Sequence, residues 1–122
     1  YNSFEPLPGE FVNGQFTLGE NIGDLTGLTL GYAAYKKSLN GEEAPVIDGM
    51  TGDQRFFLSY GQIWQRKFRE EALRNRLKSA PHSPGEYRAN GIVRNFDKWY
   101  EAFNVQPGDA LYLAPEERVK IW

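Results

Sequence analysis

The sequence predicts a mainly α protein: several packed helices joined by Pro/Gly-rich loops, with little β structure. Three observations carry this. Apolar residues recur at helical spacing over long stretches, two stretches open on a Thr-x-x-Glu/Gln pattern, and Pro-Gly or Asn-Gly pairs fall between them. The chain has 122 residues, 40% hydrophobic and 25% charged, a composition that excludes intrinsic disorder as a class. At that length it forms at most one domain and buries about 65% of its unfolded surface. Residues 1–122 are therefore expected to form one segment with no internal boundary.

The elements follow in order. Residues 1–16 carry Pro6, Pro8-Gly9 and Asn13-Gly14 and read as an ordered loop or short hairpin. A first helix is expected from Thr17, where Thr17-Leu-Gly-Glu20 fits a capping box, to a stop at Asn40-Gly41. Residues 41–50 are a loop. A second helix begins near Thr51, where Thr51-Gly-Asp-Gln54 is another capping box. Its apolar residues Phe56, Phe57, Leu58, Tyr60, Ile63, Trp64 and Phe68 lie nearly all round it, which predicts a buried helix. A third helix runs from about Glu70 to Ser79 and stops at Pro81. Residues 81–95, with Pro84-Gly85 and Asn90-Gly91, are expected to be extended or looped. A short helix follows at Phe96–Phe103, then a turn at Pro107-Gly108, a short strand at Leu111–Leu113, and a tail from Pro115 to Trp122.

Composition also narrows function. The net charge of −2 gives no overall basic field for nucleic acid. No apolar run approaches membrane-spanning length, and no targeting signal is present, which leaves a cytoplasmic and an exported location equally open. With no Cys there is no disulfide framework and no thiolate metal site. Residues 1–61 hold 8 acidic and 3 basic side chains, and residues 62–122 hold 8 and 11. The basic excess sits around Arg66, Lys67, Arg69, Arg74, Arg76 and Lys78, interrupted by Glu70 and Glu71, as on a solvated, ion-paired helix face.

The first helix carries the informative pattern. At 100° per residue, Glu20, Asp24, Gly27 and Gly31 share one stripe. Gly23, Gly27 and Gly31 together cost the helix about 3 kcal/mol relative to Ala. Close approach of another helix, or a crowded site, would offset that cost. On the wheel alone, a metal or catalytic role for the two carboxylates and a bland one, with Glu20 capping the helix and Asp24 solvated, both stand.

At this stripe the sequence resembles the neprilysin-like zinc endopeptidases. Gly19-Glu-Asn-Ile-Gly-Asp-Leu-Thr-Gly27 is similar to their Glu-Asn-x-Ala-Asp-x-Gly-Gly motif. The likeness continues through Tyr35-Lys-Lys37, Thr51-Gly-Asp-Gln-Arg-Phe-Phe-Leu58, Gln62-Ile-Trp64, Pro81-His-Ser-Pro84, Tyr87-Arg-Ala-Asn-Gly91 and Trp122. It covers nearly the whole chain and matches the C-terminal end of those enzymes, so the fold it implies is the C-terminal portion of a zincin-type catalytic lobe. Departures are small: Gly23 replaces the motif's Ala and Thr26 its first Gly. Gln65 and Val119 stand where animal members have Cys, which favours a bacterial branch. The family's His-Glu-x-x-His motif is not in this sequence.

The resemblance implies roles. A catalytic zinc takes three protein ligands and keeps one position open. Glu20 matches the third ligand, and Asp24 the carboxylate that orients a zinc-ligating His. His82, the only His and flanked by Pro81 and Pro84, matches the residue that donates a hydrogen bond to the oxyanion formed as water attacks the peptide carbonyl. Arg88 matches the Arg that holds a substrate backbone carbonyl. Trp64 and Ala89 match walls of the pocket for the side chain after the scissile bond, and Ala89 would leave that pocket roomy. The implied protein is a zinc-dependent endopeptidase that cleaves short peptides on the amino side of hydrophobic residues. Its partners are peptide substrates and the N-terminal remainder of the same enzyme, and this chain alone is expected to be inactive. The competing readings are a non-enzymatic helical interaction module from a truncated relative and an unrelated peptide-binding domain.

Overall fold

The computed structural model describes residues 1–121, so Trp122 lies outside the described residues. Five helices follow one another: α1 Leu18–Ser38, α2 Gly52–Ile63, α3 Glu70–Ser79, α4 Gly85–Val93 and α5 Asp97–Phe103, then a 3-10 turn at Pro115–Glu117. The only β features among the described residues are isolated bridges Leu7–Glu10 and Ile47–Met50. The expected helical class is what the structure has. No helix is long and apolar enough to cross a membrane among the described residues.

The long first helix is the spine. It buries Leu25, Leu28 and Tyr32, spaced for one face, and packs on α4, while α2 packs on α4 and α5. The core is aromatic. The Tyr32 ring stacks on Phe57 at 5.6 Å and meets Phe56 and Phe96 edge-on at 5.4 Å each. Ile92 and Val93 close the cluster from α4. Each such side chain contributes about 1.5–3 kcal/mol of burial, and the edge-on pairs add directionality that fixes how the helices sit.

Four expectations need correction. First, the Thr17–Glu20 capping box does not form. Thr17 has near-helical backbone angles (φ −93°, ψ 0°) and makes no side-chain cap. Its hydroxyl donates to the Asn13 carbonyl and accepts from Asn21 Nδ2. Glu20 is thereby free of capping duty. The box at Thr51–Gln54, where Thr51 is extended, forms with both arms.

Second, α2 is not buried all round. Phe57 is buried, but Leu58 and Ile63 are 43% and 59% exposed. The helix ends at Ile63 with Trp64 as its cap, so Phe68 falls in the connector, under the Arg76 guanidinium. Third, residues 85–93 are helical. Gly85 and Gly91, read as loop residues, serve close packing instead. A Cβ on Gly85 would lie 2.5 Å from the Trp64 carbonyl oxygen, and one on Gly91 would lie 2.7 Å from Tyr1 Oη. Fourth, Leu111–Leu113 forms no strand. Tyr112 N–H closes a turn onto Asp109, and Leu113 N–H donates to Tyr100 Oη, so no neighbouring strand takes these groups.

The glycine stripe is left open by the chain's own described residues. A Cβ at Gly23 or Gly27 would meet nothing within 4 Å among the described residues, and one at Gly31 only Phe56 Cζ at 3.8 Å. The stripe floors an open groove of about 360 Å³ between α1 and α2, walled by Phe56, Ser59, Tyr60 and Ile63.

Candidate active site

The α1–α4 arrangement brings four of the six singled-out residues together. Glu20 lies in the first turn of α1 and Asp24 one turn further on. Opposite them stand His82, in the connector before α4, and Arg88, in the first turns of α4. The result is two pairs side by side. His82 Nε2 is 2.9 Å from Glu20 Oε2, with both side chains roughly 40% exposed, 39% and 46%. Arg88 Nε and Nη2 donate to Asp24 Oδ2 and Oδ1, each at 2.7 Å.

The second pair is the more enclosed, with side-chain exposures of 17% and 11%. Its parallel fork is the strongest geometry open to a guanidinium and a carboxylate. The Trp64 ring lies under the guanidinium, 3.9 Å from centroid to Cζ. The Tyr60 hydroxyl donates to the Arg88 backbone carbonyl at 2.9 Å, fixing the main chain as well. The hydrogen bonds to Asp24 raise the Arg88 pKa above the ordinary arginine value, so its charge is permanent. Burial first, and the Asp24 charge second, push the Tyr60 phenol up as well, so it remains a proton donor. Arg88 Nη1 has no partner among the described residues and is the part of the fork left for a further acceptor.

His82 is held by what flanks it. Ser83, next in sequence, is buried, and its hydroxyl donates to Asn21 Oδ1 at 2.9 Å. Asn21 is itself the neighbour of Glu20. Neither Asn21 nor Ser83 was singled out from the sequence, and neither was Tyr60. The Asn after Glu20 and the Ser after His82 lie inside the quoted motifs, but nothing in a one-dimensional pattern says that they touch across 62 positions.

Trp64 and Ala89 meet elsewhere. They line one cavity of about 240 Å³ where the end of α2 meets the start of α4, together with Gly61, Gln65 and Gly85. Glu20, Asp24 and His82 do not line it. Trp64 touches both places, through Arg88 on one hand and this cavity on the other. Ala89 is not part of the four-residue cluster.

For a metal, the donor set decides. No group of three His, Cys, Asp or Glu side chains stands together among the described residues. Glu20 offers one accessible carboxylate with His82 beside it, which fits the contribution of a single ligand to a site completed by other residues. Asp24 has both oxygens engaged by Arg88.

Comparisons with known proteins place the chain in a family. Residues 1–119 match the model of "Peptidase family M13". Human neprilysin is 37% identical over 98% of this chain and 16% of its own length. Bovine endothelin-converting enzyme 1 is 37% identical over 93% of this chain and 15% of its own. Among solved structures, the zinc metalloprotease ZMP1 of Mycobacterium tuberculosis in complex with an inhibitor is 52% identical, with a TM-score of 0.97 over 100% of this chain and 20% of that one. A partial open state of the same mycobacterial enzyme superposes with a TM-score of 0.80. The chain thus spans about a sixth to a fifth of the length of these relatives. Over that span the expected helical portion of a zincin-type lobe is met, and the higher bacterial identity accords with the branch that the missing Cys residues favour.

Proposed function

The chain belongs to peptidase family M13, the neprilysin family, and from that premise we propose that it is the C-terminal part of a zinc-dependent endopeptidase acting on short peptides. All of residues 1–122 would act as one segment of that catalytic domain, with the His-Glu-x-x-His portion contributed by the rest of the enzyme. The observation that carries the proposal is the paired cluster Glu20–His82 and Asp24–Arg88 across the α1–α4 seam.

Each residue then has a task. Glu20 is the third zinc ligand, exposed at the start of α1 and released from capping. Zinc, when bound, supplies Lewis-acid activation of the substrate carbonyl and of water. His82 aims its Nε2 at the same place and donates to the oxyanion as it develops. Arg88, locked by Asp24 below and Trp64 beside it, offers Nη1 to a substrate backbone carbonyl. Asp24 positions Arg88 and keeps lone pairs on both oxygens for a zinc-ligating His. Trp64 and Ala89 wall the pocket for the hydrophobic residue after the scissile bond. The glycine stripe lies beside Asp24 as the face on which the remainder of the metal site would pack. Holding one such ligand and no His-Glu-x-x-His motif, the 122-residue chain alone is inactive.

The test is Glu20→Gln in the complete enzyme. A neutral amide is a poor zinc ligand, so zinc content measured by atomic absorption should fall well below one equivalent, and activity with it. Full zinc occupancy with normal turnover would remove Glu20 from the metal site.

A further inference from the structure

The three buried polar side chains among the described residues are Thr17, Asn21 and Ser83. They form one line. Ser83 Oγ donates to Asn21 Oδ1 at 2.9 Å, Asn21 Nδ2 donates to Thr17 Oγ at 3.0 Å, and Thr17 Oγ donates to the Asn13 carbonyl at 3.0 Å. Each of the three links has its own donor and acceptor, and the relay ends on a backbone carbonyl, so both hydroxyl protons are committed.

Such a line is costly to bury unless every link is made. A packing role alone would be served by apolar side chains, which carry no such penalty. Its ends explain its presence. Asn21 follows Glu20 and Ser83 precedes Pro84 and follows His82, so the link ties the backbones that carry the two residues 2.9 Å apart. The Glu20–His82 contact is too exposed to hold the connector by itself, because half-exposed polar contacts contribute little.

We infer that Asn21 and Ser83, anchored by Thr17, are positioning residues that set the His82 imidazole relative to Glu20. This rests on the reading of His82 as the oxyanion donor. The relay holds the connector from below, within the protein, while the imidazole stays open to substrate.

The experiment is a double-mutant cycle in the complete enzyme, with zinc content and thermal unfolding measured for every variant. Ser83→Ala is expected to lower kcat about tenfold, short of the roughly 100-fold that a full 1 Å misplacement can cost, with KM within about twofold. Because Ser83 acts through His82, Ser83→Ala should cost nothing further in the His82→Ala background. A merely structural Ser83 would lower kcat by the same factor in both backgrounds, and that result overturns the inference. Asn21→Ala is read in the same cycle if Ser83→Ala does not fold. If His82→Ala alone retains kcat with zinc bound, the oxyanion reading fails and takes the inference with it. If His82→Ala loses kcat while Ser83→Ala and Asn21→Ala keep it, the inference alone fails.

Discussion

His82 and Arg88 face one cluster but should answer to different parts of a reaction. Charge on an oxyanion exists only in the transition state, so His82→Ala in the complete enzyme should lower kcat by about 2.7–4 kcal/mol with KM little changed. A backbone carbonyl is present in the ground state as well, so Arg88→Ala should mainly raise KM. Steady-state kinetics on zinc-loaded enzyme separate the two, and a His82→Ala effect confined to KM would contradict the assignment. The fork between Arg88 and Asp24 adds a refinement that the sequence could not supply. Removing Asp24 frees Arg88 and leaves its charge unpaired in a mostly enclosed place, so Asp24→Ala should reproduce much of the Arg88→Ala rise in KM. Glu20 and Asp24 were legible from one wheel because helical spacing is local. Their partners were legible only by resemblance, since the contacts to His82 and Arg88 span more than sixty positions.

At the level of elements, the helices with unambiguous ends were legible. Glu70–Ser79 is set by acidic residues at its start and Pro81 beyond its end, and Thr51 caps α2 as its pattern requires. Where the sequence misled, tertiary contact had overruled a local signal. Pro84-Gly85 and Asn90-Gly91 look like turns, yet Gly85 and Gly91 sit in α4 because Trp64 and Tyr1 press against them. The C-terminal stretch is held by a comparable long-range device. Arg118 donates to Asp97 Oδ1 and to the Leu113 carbonyl while its guanidinium lies 3.5 Å from the Tyr100 centroid. Hydrogen bonds from Arg118 and then Lys120 hold Asp97 below the usual carboxylate range. A folded-state pKa below the unfolded one contributes stability above the unfolded value of about 3.9 and loses it as pH falls through the folded value. Hydrogen exchange of the Leu113 amide should therefore accelerate, relative to α1 amides, as pH is lowered below about 4. Asp97→Asn should show the faster, acid-like exchange already at neutral pH; unchanged exchange in that variant would assign the hold to the Arg118–Tyr100 stack and the Leu113 carbonyl instead.

Over the whole molecule, one long helix divides its labour. The face of α1 with Leu25, Leu28 and Tyr32 makes the core, its first turns carry the Glu20–Asp24 pair, and the face with Gly23, Gly27 and Gly31 opens onto a groove. That third face is where the chain's own contacts stop short of explaining its sequence, because each glycine costs about 1 kcal/mol in a helix interior and two of the three have nothing among the described residues within 4 Å of a Cβ. Gly27 isolates the question. In the 122-residue chain, Gly27→Ala has room for its methyl, keeps helical backbone angles and reduces the freedom of the unfolded state, so thermal or urea unfolding should show a gain of about 1 kcal/mol. In the complete enzyme the same methyl would enter whatever packs on the stripe, and the gain should vanish or turn into a loss. A gain of equal size in both would mean that the stripe faces solvent throughout, and the packing role given to it beside the metal site would have to be withdrawn.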